Sequence, residues 1–497
     1  MNYVMGIDLG TSSTKAMIMD EFGKCLGIGR GTYPVDIPGE HLAEQDPEKW
    51  WIGVKDAITE VLRVSGIQPE DIGGIGFSGQ MHGMVALDSK GDVLRPAIIH
   101  LDQRCAGELA EIREKAGSLM QTELLNQPSA GMLIGSLYWM KKYEKELYDR
   151  IAVVMSPKDY IRYRLCGEIG SDYSDASAAL AFSTKNKEWC RELLGKLEIR
   201  DDIWPEVHGS CEIAGKITGD ASAETGLSVK TAVVYGAGDS LCALTGSGVI
   251  ETGTMACNIG TASQLCLVVD KPICDEKLRI QTWCHSADDR WAIQSGALNG
   301  GSTLNWLKSK ALMTGKTFEE MDEEAGRIPA GSEGLMFLPY LAGERTPWND
   351  PYARGTYHGL SLQHEQAHIV RATMEGVMYN LRECLVILDQ MDLERNYLIS
   401  AGGGAKGKTW RQIQADMLNM PVHTTLVSEE ACQGAAMMAL VGLGVYPDLA
   451  EAAKATVHMS SEVTEPIAEN VKIYEDRQVL FHELYKALRD LRKYTDR

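Results

Sequence analysis

One short pattern occurs twice in the chain, about half its length apart. Asp8-Leu-Gly-Thr-Ser-Ser-Thr-Lys-Ala-Met-Ile18 is matched by Asn258-Ile-Gly-Thr-Ala-Ser-Gln-Leu-Cys-Leu-Val268. Both read polar, apolar, Gly, Thr, small, Ser, then a strand-like run, which predicts a tight β-hairpin. One Gly-Thr turn constrains little, since any hairpin can carry it. Two, each heading half of a 497-residue chain, predict two domains built to one plan. The boundary is expected near Ala243–Gly253, where Gly246, Gly248 and Gly253 cluster, giving domains 1–246 and 247–497.

Chemistry follows from the small residues. A tight hairpin without bulk turns several backbone N–H groups and hydroxyls in one direction, a nest for phosphate oxygens. Two such hairpins on facing domains would hold a polyphosphate between them. Asp8, at the strand end, is where it would orient Mg²⁺ through water. The plain structural alternative is an ordinary hairpin whose Thr and Ser satisfy the turn.

Around the first hairpin the pattern is that of an α/β fold with a mixed, largely buried sheet. Tyr3–Asp8 reads as a strand, Lys15–Met19 as its return, and Cys25–Tyr33 as a third strand. Asp46 is a helix N-cap and Pro47 suits the first turn, with Trp50, Val54, Ala57, Ile58 and Val61 at helical spacing and Gly66 as the stop. A strand ends at Phe77-Ser78, and a second pair of strands is expected at Met84–Asp88 and Ala97–Asp102.

Residues 402–409, Gly-Gly-Gly-Ala-Lys-Gly-Lys-Thr, fit the P-loop pattern, and their first six also fit G-x-G-x-x-G. A strand at Asn396–Ala401 and a helix at Thr409–Met420 flank them. Position argues against both readings: such loops follow the first strand of their sheet, whereas here only one further strand, Val422–Val427, and helices remain. A glycine-rich turn that lets a flat nucleoside approach the backbone is the better reading.

Composition excludes other classes. A formal net charge of −20 repels polyanions, so nucleic acid and anionic membranes are not expected partners. No basic-then-apolar leader and no run of 18 apolar residues is visible, so a cytoplasmic location is expected. The 12 cysteines are scattered without a Cys-x-x-Cys pair, as free thiols in a reducing compartment are.

Taken together, the motifs resemble the FGGY family of carbohydrate kinases, in the actin–hexokinase superfamily. The likeness runs through Gly6-Ile-Asp-Leu-Gly-Thr11, Glu44-Gln-Asp-Pro-Glu-Lys-Trp-Trp51, Gly79-Gln-Met-His-Gly83 and Asp102-Gln-Arg-Cys105. It continues through Ser156-Pro-Lys-Asp-Tyr160, Gly236-Ala-Gly-Asp239, Leu338-Pro-Tyr-Leu-Ala-Gly-Glu-Arg-Thr-Pro347 and Gly402-Gly-Gly-Ala405 with Trp410-Arg-Gln412. No single motif is decisive, but their order over about 400 residues is specific.

The resemblance implies two actin-like (ribonuclease H-like) domains flanking a cleft, and ATP- and Mg²⁺-dependent phosphorylation of a ketopentose. Gln80-Met-His-Gly83 points to the branch that converts D-xylulose to its 5-phosphate. By position, Asp239 is the base facing the sugar hydroxyl, and Asp8 helps place the metal–phosphate complex. Thr11, Ser12, Thr14 and Lys15 in the first hairpin, and Gly260 and Thr261 in the second, approach ATP phosphates. Gly403 and Gly404 lie beside adenosine. Gln80, Met81, His82, Asp102 and Ser240 line the sugar pocket with Asp239. The residues alone allow plainer roles: Asp239 as cap of a helix starting at Ser240, His82 as a structural histidine, Asp102 as the ion-pair partner of Arg104.

Two departures touch the sugar. The family often has Trp-Asn-Asp where this chain has His100-Leu101-Asp102, and Asp-Asn where it has Asp239-Ser240. Ribulose, L-xylulose, a polyol or a sugar acid such as gluconate therefore stay open as substrates. A non-transferring actin-like ATPase and a P-loop NTPase are the rival classes, and a homodimer is left open.

Overall fold

The computed structural model describes residues 3–491. The expected repeat is present as topology. In the N-terminal half, Cys25–Thr32, Ser13–Asp20, Tyr3–Leu9, Ile72–Gly79 and Ala232–Val234 lie side by side in that order, with Ile213–Lys216 beyond. In the C-terminal half, Trp291–Ala297, Ser263–Val269, Thr254–Ile259, Tyr397–Gly402 and Val422–Thr424 repeat the order, with Gln281–Cys284 at the other edge. In both sheets the first three strands pair antiparallel and the fourth and fifth join parallel. Parallel strands need long crossovers, and helices supply them.

Local signals set the element ends. Pro47–Ser65 is a helix whose N-cap Asp46 accepts from the Glu48 N–H, and Gly66 ends it at φ 68°. Its buried face is the expected Trp50, Val54, Ala57, Ile58 and Val61, with Trp51 added. The strands expected as a pair at 84–88 and 97–102 are shorter and separate. Val85–Leu87 pairs with Val153–Met155, and Ala97–Ile98 with Glu44–Gln45; one bridge, Met84 to Ile98, joins them. The Asp88–Asp92 turn and Pro96 leave too little regular backbone between them for a longer ladder.

The two halves are interleaved beside the site. The helix Glu430–Gly442, from the C-terminal half, lies on the N-terminal sheet. Glycine makes the approach fit: a Cβ on Gly6 would stand 1.9 Å from the Cys432 carbonyl oxygen, and one on Gly76 1.8 Å from that of Ala435. This seam holds the strands that end at the site.

Candidate active site

Three chain segments end together. In the strand register Asp8 lies beside Ser78, and Ser78 beside Ala237, two residues before Asp239. Asp8, Ser78 and Asp239 thus gather at the carboxyl edge of neighbouring parallel strands, the usual location of ligands in α/β sheets. The Ser78 hydroxyl donates to Asp8 Oδ1 at 2.6 Å. Asp239 does not cap its helix: Gly238 is the N-cap, and Asp239 is the first helical residue. Its Oδ1 accepts the Ser240 N–H at 2.7 Å.

Asp239 keeps partial solvent access while the surrounding protein desolvates it. Burial, and secondarily the charge of Asp8, push its pKa up to about 7. Burial also raises Asp8, against the Ser78 hydrogen bond and Lys15. Two carboxylates in a desolvated corner, Asp8 raising the proton affinity of Asp239, form a hard-oxygen donor set suited to Mg²⁺. A second acidic group, Asp159, Asp172 and Asp175, also has ligand spacing. Its centre is already filled by the Lys158 ammonium, 2.6 Å from Asp159, 2.9 Å from Asp172 and 3.4 Å from Asp175. All four are buried. Burial pulls the Lys158 pKa down, and the three carboxylates more than restore it. This buried cluster supports the acid: Lys158 donates to the Tyr235 carbonyl, and Ser174, bonded to Asp172, accepts the Gly238 N–H at 2.9 Å.

The expected sugar residues divide. Met81 and Ser240 adjoin Asp239, with the Ser240 hydroxyl 3.1 Å from the Met81 sulfur. His82 sits at φ 71°, its Nδ1 2.9 Å from the Ala178 carbonyl, and its ring 5.7 Å from that of Trp283 in the C-terminal half. Burial pulls its pKa down to about 4, so it is neutral at physiological pH. Gln80 is turned inward instead: its side chain donates to Gln45, which in turn donates to the Thr11 carbonyl, so it braces the first hairpin. Asp102 takes its plainer role. Its carboxylate accepts from Arg104 at 2.8 Å through both oxygens and from the Ala43 N–H at 2.7 Å.

The phosphate hairpins divide too. Thr11 and Ser12 are at the tip, partly or fully exposed. Thr14 is fully buried with its hydroxyl 3.2 Å from Tyr33, because successive strand residues face opposite ways. Its alternates Ser13 and Lys15 occupy the Asp8 face, and Ser13 carried no distinguishing signal in the sequence. Lys15 is ion-paired with Glu429 at 2.5 Å, which also holds Arg30 at 2.7 Å. In the second hairpin Gly260 and Thr261 are accessible. Gly403 is exposed, whereas Gly404 is buried under Ile259. Gly402 has φ 74°, and a Cβ there would lie 2.5 Å from Asn258 Oδ1, so only glycine brings this turn against the hairpin.

The P-loop look-alike is absorbed into structure. Lys408 points to solvent with its nearest acid, Glu462, 4.0 Å away. The Thr409 hydroxyl donates to the Asp322 carbonyl at 2.6 Å. Neither is disposed toward a phosphate.

Two sheets of one strand order, each led by a Gly-Thr hairpin, with desolvated carboxylates at the strand ends, define an actin-like two-domain phosphotransferase. Residues 3–246 match the N-terminal domain, and residues 249–443 the C-terminal domain, of the FGGY family of carbohydrate kinases. The chain belongs to this family and is a sugar kinase. It is 34% identical to a xylulose kinase of Bacillus subtilis (strain 168), covering 99% of this chain and 98% of that one. A gluconokinase of the same organism is 31% identical, covering 99% and 97%. The crystal structure of a xyloylose kinase from Brucella ovis superposes with a TM-score of 0.91 at 31% identity, covering 99% of this chain and 100% of that one. Among the described residues no helix is long and apolar enough to cross a membrane.

Proposed function

We propose that this protein, in the cytoplasm, transfers the terminal phosphoryl group of ATP to D-xylulose, giving D-xylulose 5-phosphate. One observation carries the chemistry: Asp239, lifted to about 7, stands between Met81 and Ser240 on one side and Asp8 on the other. Phosphoryl transfer passes through a loose transition state, so positioning and charge neutralisation do most of the catalysis. Asp239 accepts the alcohol proton as transfer proceeds. Met81, Ser240 and the neutral His82 bound the sugar. Thr11, Ser12, Gly260 and Thr261 approach the phosphates, and Gly402–Gly403 offers backbone to the nucleoside. Mg²⁺, when bound with ATP, neutralises phosphate charge, and Asp8 would hold it through water.

Similarity to proteins named xylulose kinase supports the ketose. A second reading, a sugar acid, has its own observation. The exposed Arg345 makes no side-chain ion pair among the described residues, and its charge acts on His82. A carboxylate would suit it. A coupled ADP-release assay with D-xylulose, D-ribulose, L-xylulose, D-gluconate and glycerol decides. The highest kcat/KM is expected for D-xylulose. Full-rate ADP release without sugar would overturn the kinase reading in favour of a switch ATPase.

A further inference from the structure

We infer that His100 is a specificity-determining residue of the sugar site, its imidazole Nδ1 reserved for a hydroxyl of the bound sugar. The inference rests on the sugar-kinase reading above and names a residue to which that reading gives no role. It begins with an unmet hydrogen bond. The Nδ1 atom of His100 is buried and has no partner among the described residues. Buried polar atoms are nearly always bonded, so one that is not is either filled by solvent or kept for a ligand.

The backbone that carries the ring is held in place. Just before it, the Ile99 N–H donates to the Ala43 carbonyl at 3.2 Å; just after it, the Asp102 N–H donates to the Ile99 carbonyl at 2.9 Å. Asp102 is locked by Arg104 and Ala43. Behind it, Gly131 packs so closely that a Cβ there would stand 2.1 Å from the His100 carbonyl oxygen. A histidine whose backbone is held on three sides, with a buried ring nitrogen unspent, is a preorganised contact.

Its neighbours identify the site. His100 acts electrostatically on His82, and Arg345 from the C-terminal half acts on both rings. His82 spends its own Nδ1 on the Ala178 carbonyl. His82 follows Met81, which touches Ser240 beside Asp239. Burial, then Arg345, lowers the His100 pKa, which favours the neutral ring. A neutral imidazole has one donor and one acceptor nitrogen, which matches a hydroxyl better than a carboxylate. The ring is thus the element of this site that reads hydroxyl placement, while Arg345 stands ready for charge.

The test measures kcat/KM for the best-used sugar and for its single-deoxy analogues, with wild-type protein, His100→Phe and His100→Gln. His100→Phe is expected to lower kcat/KM for the full sugar about 10- to 100-fold through KM, the usual cost of leaving a polar contact unmade. For one deoxy analogue the wild-type and His100→Phe values should converge, and His100→Gln should recover most of the loss. KM for ATP should not move. An equal loss on every analogue, or an unchanged sugar KM in folded His100→Phe, overturns the assignment. Wild-type protein that phosphorylates no sugar overturns the kinase reading itself, a different outcome from a working enzyme indifferent to His100.

Discussion

The two Gly-Thr hairpins share a backbone and differ at the lip. The first carries Asp8, bonded to Ser78 and electrostatically coupled to Asp239. The second carries Asn258, neutral and exposed, with Gly402 against it. The scaffold repeats because each sheet needs the same tight turn between its first two strands. The chemistry does not repeat, because an acid at both lips would set two charges against the same phosphates. In the proposed reaction the first hairpin brings Asp8, for a metal, beside Asp239, for a proton. The other presents a small, uncharged surface, the proposed approach for the nucleotide.

This asymmetry is open to attack, most forcefully at its acidic side. Asp239→Asn keeps the shape and cannot take the proton, so kcat should fall by about 10²- to 10⁴-fold with nucleotide binding intact. Near-normal kcat in folded protein would refute the role. In wild type, kcat/KM should rise with pH through about 7, since the carboxylate must be ionised to accept a proton. The sign for stability is the reverse. A folded pKa above the unfolded one favours the fold at pH below the ordinary carboxylate value, and that benefit is lost as pH rises through about 7. Asp239→Asn should therefore raise Tm at pH 8 and have little effect on it at pH 3, by scanning calorimetry.

Next in size is the ionic cluster beneath the acid. Lys158→Met leaves three buried carboxylates without their cation and should cost about 3–5 kcal/mol in urea unfolding. Adding Asp175→Asn should recover part of it, because burial and its two acidic neighbours already hold Asp175 toward its neutral form. A wild-type unfolding midpoint in Lys158→Met would show the cluster to be dispensable.

The hairpins themselves are tested by exchange. Asn258→Asp should raise KM for ATP about tenfold by adding a charge where phosphate approaches. Asp8→Asn should instead weaken the dependence of nucleotide binding on Mg²⁺ while sugar binding persists, read by titrating a fluorescent nucleotide with and without metal. Equal effects of the two changes would erase the asymmetry. Smallest, Lys408→Ala should alter KM for ATP less than about threefold, as expected for an exposed cation. A collapse of turnover would restore the P-loop reading of residues 402–409.

The sequence alone determined the repeat, and with it the two matched sheets, because a Gly-Thr hairpin between apolar runs is a local object whose backbone its own residues dictate. It also determined the helix at Pro47–Ser65, through Asp46, Pro47 and Gly66, and singled out by their motifs Asp8, Met81, His82 and Asp239, the residues of the proposed site. Tertiary structure decided what each polar group faces. Thr14 and Lys15 are adjacent in the chain, yet strand alternation buries one against Tyr33 and turns the other to Glu429, a residue 414 positions away. Gln80 and Asp102 stand in site motifs, but Gln45 and Arg104 claim their side chains. The charge of Arg345 reaches His100 only because the second half of the chain is laid against the first. Backbone conformation answers to near neighbours in the chain, whereas the charge and hydrogen-bond partners of a buried group come from segments that only folding brings together.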